Sequence, residues 1–206
     1  MIHAFLYGVI LAFGLIIPLG VQNVFVFNQG ATQPHYVYAL PCVLTAFICD
    51  TILILCAVLG VSVIVLNIPW LKTLFFLIGF FFLLYMGFNT WKSKAKLQEG
   101  SHPLSSRQQI AFATSVSLLN PHALLDTVGV IGTNALHFEG SDKILYTLAC
   151  ILVSFFWFLG LSIAGHFVHR ADKTGWVILV VNKISALIIW SVAFFIAWQL
   201  IKIFLH

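Results

Sequence analysis

Charge is what this sequence has least of. Asp, Glu, Lys and Arg together make up 8% of the 206 residues, where an ordinary soluble domain carries roughly 25%. A surface facing water needs charged side chains to cover it, so a soluble globular domain is excluded. Cysteine is sparse too: there are four, with no CxxC pair and no Cys/His knuckle, which removes the usual redox and structural-zinc signatures. Three of them, Cys42, Cys49 and Cys56, recur every seven residues and share one helix face, where packing is the ordinary role of a buried cysteine. The ten Lys and Arg are scattered. Without a basic stripe interleaved with aromatics, nucleic acid is not an expected partner. No HExxH or comparable histidine spacing occurs; His166 and His169 share a helix face near the second basic loop. No nucleophile–base pair stands at mid-membrane depth either. Neither a metal, a cofactor nor an enzymatic activity is therefore expected.

What is abundant is apolar. Hydrophobic residues make up 61% of the chain, with 20 Phe and 6 Trp. A membrane-spanning helix needs about 20 mostly apolar residues. Six segments qualify: 4–27, 38–66, 71–91, 110–131, 145–168 and 176–205. The opening MIHAFLYGVILAFGLIIPLG has no Lys or Arg ahead of its apolar run and no small-x-small cleavage site, so it is expected to be a retained first span. The expected fold class is an all-α membrane protein of about six transmembrane helices, and lipid is its expected surroundings. Self-association into a homo-oligomer is left open.

The one sizeable polar connection, 92–109, carries Lys92, Lys94, Lys96 and Arg107, while Arg170 and Lys173 lie between the fifth and sixth segments. With six spans both loops share a side, and the excess of basic residues marks that side as cytoplasmic. Both termini then face outward. If the first or fourth segment fails to cross, five spans result. The chain reads as a single transporter-like domain, 1–206, made of a first half 1–91, a basic loop 92–109 and a second half 110–206. A shift of 103 residues places Pro18 on Pro121 and Asn23 on Asp126. Two three-helix halves of opposite topology form the inverted repeat found in many secondary transporters.

The polar exceptions carry the chemistry. Asp50 lies mid-way in the second segment and Asp126 within the fourth. A charged carboxylate at a helix centre costs ~2.5–3.5 kcal/mol on insertion scales, and such groups tend to serve ion or proton pathways. The bland role is a neutral or hydrogen-bonded acid holding helices together. Lys183, in the first turns of the last segment, is the nearest candidate partner, though a lysine there also reaches the interface by snorkelling. The first segment is interrupted by Pro18 and Gly20 just ahead of Gln22 and Asn23, the fourth by Asn120-Pro121-His122 ahead of Asp126. Proline removes a backbone donor, and the freed groups must pair inside the protein or line a cavity. Broken half-helices present N–H groups to carboxylates and carbonyls to cations, which suits a zwitterionic amino acid; one isolated proline kink would carry no such meaning. His122 is a candidate proton carrier, interfacial packing being its alternative. Trp157 sits mid-span although tryptophan prefers the membrane interface, as core packing or as a wall of a substrate cavity.

These residues also carry a family resemblance. LGVQNVFVFNQG (19–30), ICD around Asp50, NPHALLDTVGVIG (120–132), FFWF around Trp157 and the closing VNKISALIIWSVAFFIAW resemble the lysine/arginine exporter (LysE-type) family, and the similarity runs over essentially the whole chain. The family usually has a proline directly before the Gln-Asn pair; here that place is Val21, and Pro18 stands three positions earlier. The resemblance implies export of amino acids, lysine and arginine first, from bacterial cells across the plasma membrane, driven by the proton motive force. The matching motif positions are Gln22, Asn23, Asp50, Asn120, Pro121 and Asp126; all but Pro121, a helix-break residue, would bind substrate or proton. Related branches export threonine, homoserine or other neutral amino acids. A small cation channel using the same acids is a further class.

Overall fold

The computed structural model describes residues 2–17, 20–60, 69–92, 103–119, 127–171 and 176–205. Every regular element among them is helical. Inside a bilayer each backbone N–H and C=O needs a protein partner, and a helix supplies one within its own segment.

Helices α1 (Ile2–Ile16) and α2 (Val21–Thr32) come from the predicted first span, and they are bent by 82° at the break between them. Pro18 lies in that break, outside the described residues. On its far side Gly20, extended at φ −74° and ψ 173°, begins α2 without a side-chain cap. A single 3-10 turn, Tyr36–Ala39, leads into α3 (Leu40–Val58). The apolar run predicted a helix to residue 66, but α3 ends at Val58. Gly60 takes a positive φ of 78°, a conformation that glycine adopts without a Cβ penalty, and its N–H returns to the Ala57 carbonyl at 3.1 Å. The third predicted span is α4 (Pro69–Lys92).

The predicted fourth span is described on either side of residues 120–126. α5 (Ser106–Leu118) begins with a reciprocal capping box between Ser105 and Gln108, which satisfies two orphan donors at once. A π-helical stretch, Thr127–Gly132, and a 3-10 turn, Ala135–His137, follow. Residues 120–126 themselves lie outside the described residues, so Asn120, Pro121, His122 and Asp126 stay as sequence expectations. α6 (Gly140–Ala171) is longer than predicted, and α7 (Trp176–Leu205) has the predicted bounds. Among the described residues three stretches are long and apolar enough to cross a membrane, Tyr36–Val58, Gly140–Val168 and Asn182–Lys202, and the bent α1–α2 pair makes a fourth if it is one span.

The exterior fits a lipid surrounding. Phe81, Phe156, Phe167, Phe194 and Trp198 are each exposed by half or more, a surface that water would penalise. α6 is the hub, packed against α1, α2 and α3, while α4 and α7 pair with each other and α3 also packs on α5 and the π-helical stretch. One core joins Ala12, Ile54, Ile131, Tyr146 and Val153; another joins Phe25, Cys42, Ala46, Ala113 and Phe158. Backbone approach is closest between α2 and α6. A Cβ placed on Gly30 would lie 2.0 Å from the Ser162 carbonyl oxygen, and one on Gly165 would lie 2.1 Å from that of Phe27. Small residues at such crossings let membrane helices pack backbone to backbone.

Candidate functional site

The break between α1 and α2 frees the last carbonyls of α1, and Asn23 answers for one of them. Its Nδ2 donates to the Ile16 carbonyl at 2.7 Å, while its Oδ1 accepts from Trp157 Nε1 at 3.2 Å. A single buried amide thus holds the bend and reaches α6. This explains the mid-span tryptophan: its indole N–H has a partner inside the protein, and its ring meets Phe13 edge-on at 6.2 Å. Beside Asn23, Gln22 is buried, and its Nε2 meets no hydrogen-bond partner among the described residues. A buried, unmet donor is costly, so a donor left open at this point is a candidate contact for a ligand.

Asp50, partly buried on α3, accepts a hydrogen bond from the Ser154 hydroxyl of α6. No cationic side chain among the described residues forms an ion pair with it. Lys183 is engaged elsewhere. Its Nζ donates to the Trp91 carbonyl at 2.6 Å and lies 3.8 Å over the Trp91 ring. The lysine caps the C-terminal end of α4, where helix carbonyls attract a cation, and is not a partner for the acid.

Ser154 and Trp157 stand three residues apart on α6, hence on one face and about one turn from each other. Through them α6 brings Asp50 of α3 and Asn23 of α2 to a common level close to the middle of that helix. Four expected residues, Gln22, Asn23, Asp50 and Trp157, therefore belong to one neighbourhood, with Gly20 at the mouth of the break. Polar contacts tie the helices together toward both ends of α6. Near its start Tyr7, which packs against Tyr146, donates to Asn134 Oδ1 at 2.7 Å. Toward its end, where Gly165 approaches Phe27 and Ala31, a glutamine cluster forms. Buried Gln109 donates to the Tyr38 and Leu104 carbonyls at 2.9 and 3.0 Å, and Gln33 donates to the same Leu104 carbonyl at 3.0 Å.

Sequence reasoning missed Ser154, the glutamine cluster and a part-buried amide pair in which Asn28 Nδ2 donates to Asn182 Oδ1 at 2.8 Å, linking α2 to α7. The amides were legible as polar residues inside apolar runs; Ser154 was not. The four cysteines are free thiols, with Cys42, Cys49 and Cys150 buried in helix packing. Among the described residues no group of three His, Cys, Asp or Glu converges.

Residues 13–200 match the LysE type translocator family. The chain belongs to that family. A Bacillus subtilis (strain 168) protein named "Putative amino-acid transporter YisU" is 52% identical over 192 residues, covering 93% of this chain and 87% of its own. "Arginine exporter protein ArgO" of Salmonella paratyphi B is 33% identical over 203 residues, 96% of this chain and 94% of its own. The ArgO of Enterobacter sp. (strain 638) is 32% identical, with 100% and 97% covered. No solved structure matches the chain. The family match includes Asn23, Asp50 and Trp157.

Proposed function

We propose that this LysE type translocator is a secondary transporter of the bacterial plasma membrane. In this reading it exports amino acids, arginine and lysine first, using the proton motive force. The observation that carries the proposal is a carboxylate, two buried amides and an indole gathered near the middle of α6 beside a helix break, with no cationic side chain among the described residues paired to the acid. A site of this kind has a place for each end of an amino acid. The uncapped start of α2 and the open Gln22 donor suit the α-carboxylate, since N-terminal N–H groups attract anions. Asp50, joined by Asp126, suits the ammonium or guanidinium. The exporter names of the ArgO relatives favour a basic substrate.

Coupling follows from charge. Moving one positive charge outward against a negative-inside potential costs about 2.3 kcal/mol per 100 mV, so a passive path would draw arginine in. One inward proton per outward cation cancels that cost and adds the pH gradient. Burial favours the neutral form of a carboxyl group and a nearby cation favours the charged form, so proton and substrate compete for one acid.

Six spans in two inverted halves make this mechanism geometrically simple. Supporting contacts join positions 103 or 104 apart: Asp50 with Ser154, and Gly87, where an added Cβ would lie 2.2 Å from Trp190 Nε1. Contacts at or within one residue of the repeat offset are what a pseudo-twofold axis between two such halves would produce. The broken segment of each half also packs on the unbroken helix of the other, α1 and α2 on α6, α5 and the π-helical stretch on α3. The closures at Tyr7–Asn134 and at the glutamine cluster would open in turn.

The test is release of substrate by cells that express the chain and are fed an arginine- or lysine-containing dipeptide. Arginine should appear in the medium with the chain present, and Asp50→Asn should reach the membrane yet release no more than empty cells. Equal internal accumulation of both amino acids with and without the chain overturns the proposal; release of threonine instead moves the substrate to the neutral class.

A further inference from the structure

We propose that Ser154 is a positioning residue for proton coupling: its hydroxyl holds ionised Asp50 across the α3–α6 seam and yields when that carboxylate takes up a proton. This inference rests on the exporter reading and adds to it the residue that senses the charge of Asp50.

A hydroxyl inside a membrane helix ordinarily turns back to the carbonyl four residues earlier. Thr45, Ser115, Ser117, Thr147 and Ser191 all do so, at 2.7 to 2.9 Å. Ser154 is 1% exposed and turns instead to Asp50 Oδ2 on another helix. Nothing in local helix geometry requires that choice; the acid opposite supplies the reason. A hydrogen bond to an ionised acceptor is roughly twice as strong as one between neutral groups.

The position is as informative as the contact. Ser154 stands 104 residues after Asp50, within one residue of the offset that relates Pro18 to Pro121 and Asn23 to Asp126. In the two pairs that contain an acid, the other half has a neutral polar group: Asp50 faces Ser154, and Asp126 has Asn23 as its sequence counterpart. A second carboxylate at 154 would set like charges against each other. A hydroxyl can donate to the carboxylate and, once the carboxyl is protonated, accept from it. Proton uptake thus exchanges a charge-assisted link for a neutral one. Because α3 and α6 belong to different halves, this loosens the seam along which the halves would move. A substrate cation that draws on the same carboxylate competes with the serine directly.

The titratable neighbours that feel the charge of Asp50 are the thiols of Cys49 on α3 and Cys150 on α6. α2 and the π-helical stretch bring no charged or titratable side chain toward it, and α5 carries only Arg107 at its exposed start. Asp126 lies outside the described residues.

The experiment is an infrared pH titration of the purified protein in vesicles without substrate, with arginine export measured on the same samples. The carboxyl band of Asp50 is identified by its loss in Asp50→Asn. In Ser154→Ala the midpoint of that band, and the external pH of half-maximal export, should both move about one pH unit to the alkaline side, the size expected for losing a hydrogen bond to a charged group. Ser154→Thr, which keeps the hydroxyl, should match the wild type. Coincident Ala and wild-type midpoints overturn the proposal, and so does a Thr variant shifted as far as Ala, which would assign the effect to packing. Should the Ala variant fail to incorporate, Ser154→Cys offers a weaker donor of similar size; its midpoint should move part of the way, and an unmoved midpoint overturns the proposal. A shifted band in vesicles that export nothing at any pH would sink the exporter reading while upholding the serine–carboxylate link.

Discussion

Replacing Gly30 by alanine tests whether the α2–α6 contact positions the site. The new Cβ would lie 2.0 Å from the Ser162 carbonyl oxygen and 2.7 Å from its carbon. Ordinary contact begins at 3.4 Å, so the helices must part by about 1.4 Å at this point, and the obstructing atoms are backbone that no rotamer change can move. Overpacking of this kind costs about 1–3 kcal/mol. The functional cost comes from position. Asn23 lies two turns along α2 from Gly30, and a uniform shift would stretch its 3.2 Å bond from Trp157 to about 4.6 Å, beyond hydrogen-bonding reach. Displacements near 1 Å in a positioned site cost on the order of 100-fold. Gly30→Ala should therefore export arginine at least tenfold more slowly in vesicles, with a lowered unfolding temperature in detergent. Gly160→Ala is the matched control: it lies on α6, and a Cβ there meets nothing within 4 Å. Wild-type export by Gly30→Ala, or an equal loss in Gly160→Ala, would refute the reasoning.

Two further substitutions separate the site from its scaffold. Trp157→Phe keeps a ring against Phe13 but removes the donor to Asn23; a lost hydrogen bond of about 0.5–1.5 kcal/mol should weaken arginine half-saturation several-fold, measured as the substrate dependence of export, and an unchanged value would contradict the role given to Asn23. Lys183→Gln removes the cation over Trp91, about 0.5–1 kcal/mol at an exposed site, so the unfolding temperature should fall by a few degrees while export and its pH profile stay as in the wild type; a loss of coupling would mean that this lysine does serve the acids.

Legibility followed the range of the interaction that decides each feature. The bounds of α7 follow from an apolar run that nothing interrupts. The break between α1 and α2 was visible in Pro18 and Gly20, because backbone chemistry is local. The end of α3 was not: hydropathy continues through residues 61–66, and the turn at Gly60 depends on a backbone angle that apolar composition does not reveal. Asn23 and Asp50 stood out as polar groups in lipid-facing sequence, yet their partners lie 134 and 104 residues away and were set by packing. Ser154 could not have been singled out, since a serine in an apolar run normally bonds its own helix. For Lys183 the sequence left two roles open, partner for an acid or snorkelling cation, because its acceptor, the Trp91 carbonyl, becomes its neighbour only when α4 and α7 pair.

The most direct measurement is efflux of labelled arginine from vesicles holding only this protein, with the outside made acidic and the membrane potential clamped. Saturable efflux that accelerates with the inward proton gradient, and disappears in Asp50→Asn, is the predicted result. Efflux that ignores the gradient, or persists undiminished without the Asp50 carboxylate, would contradict the account.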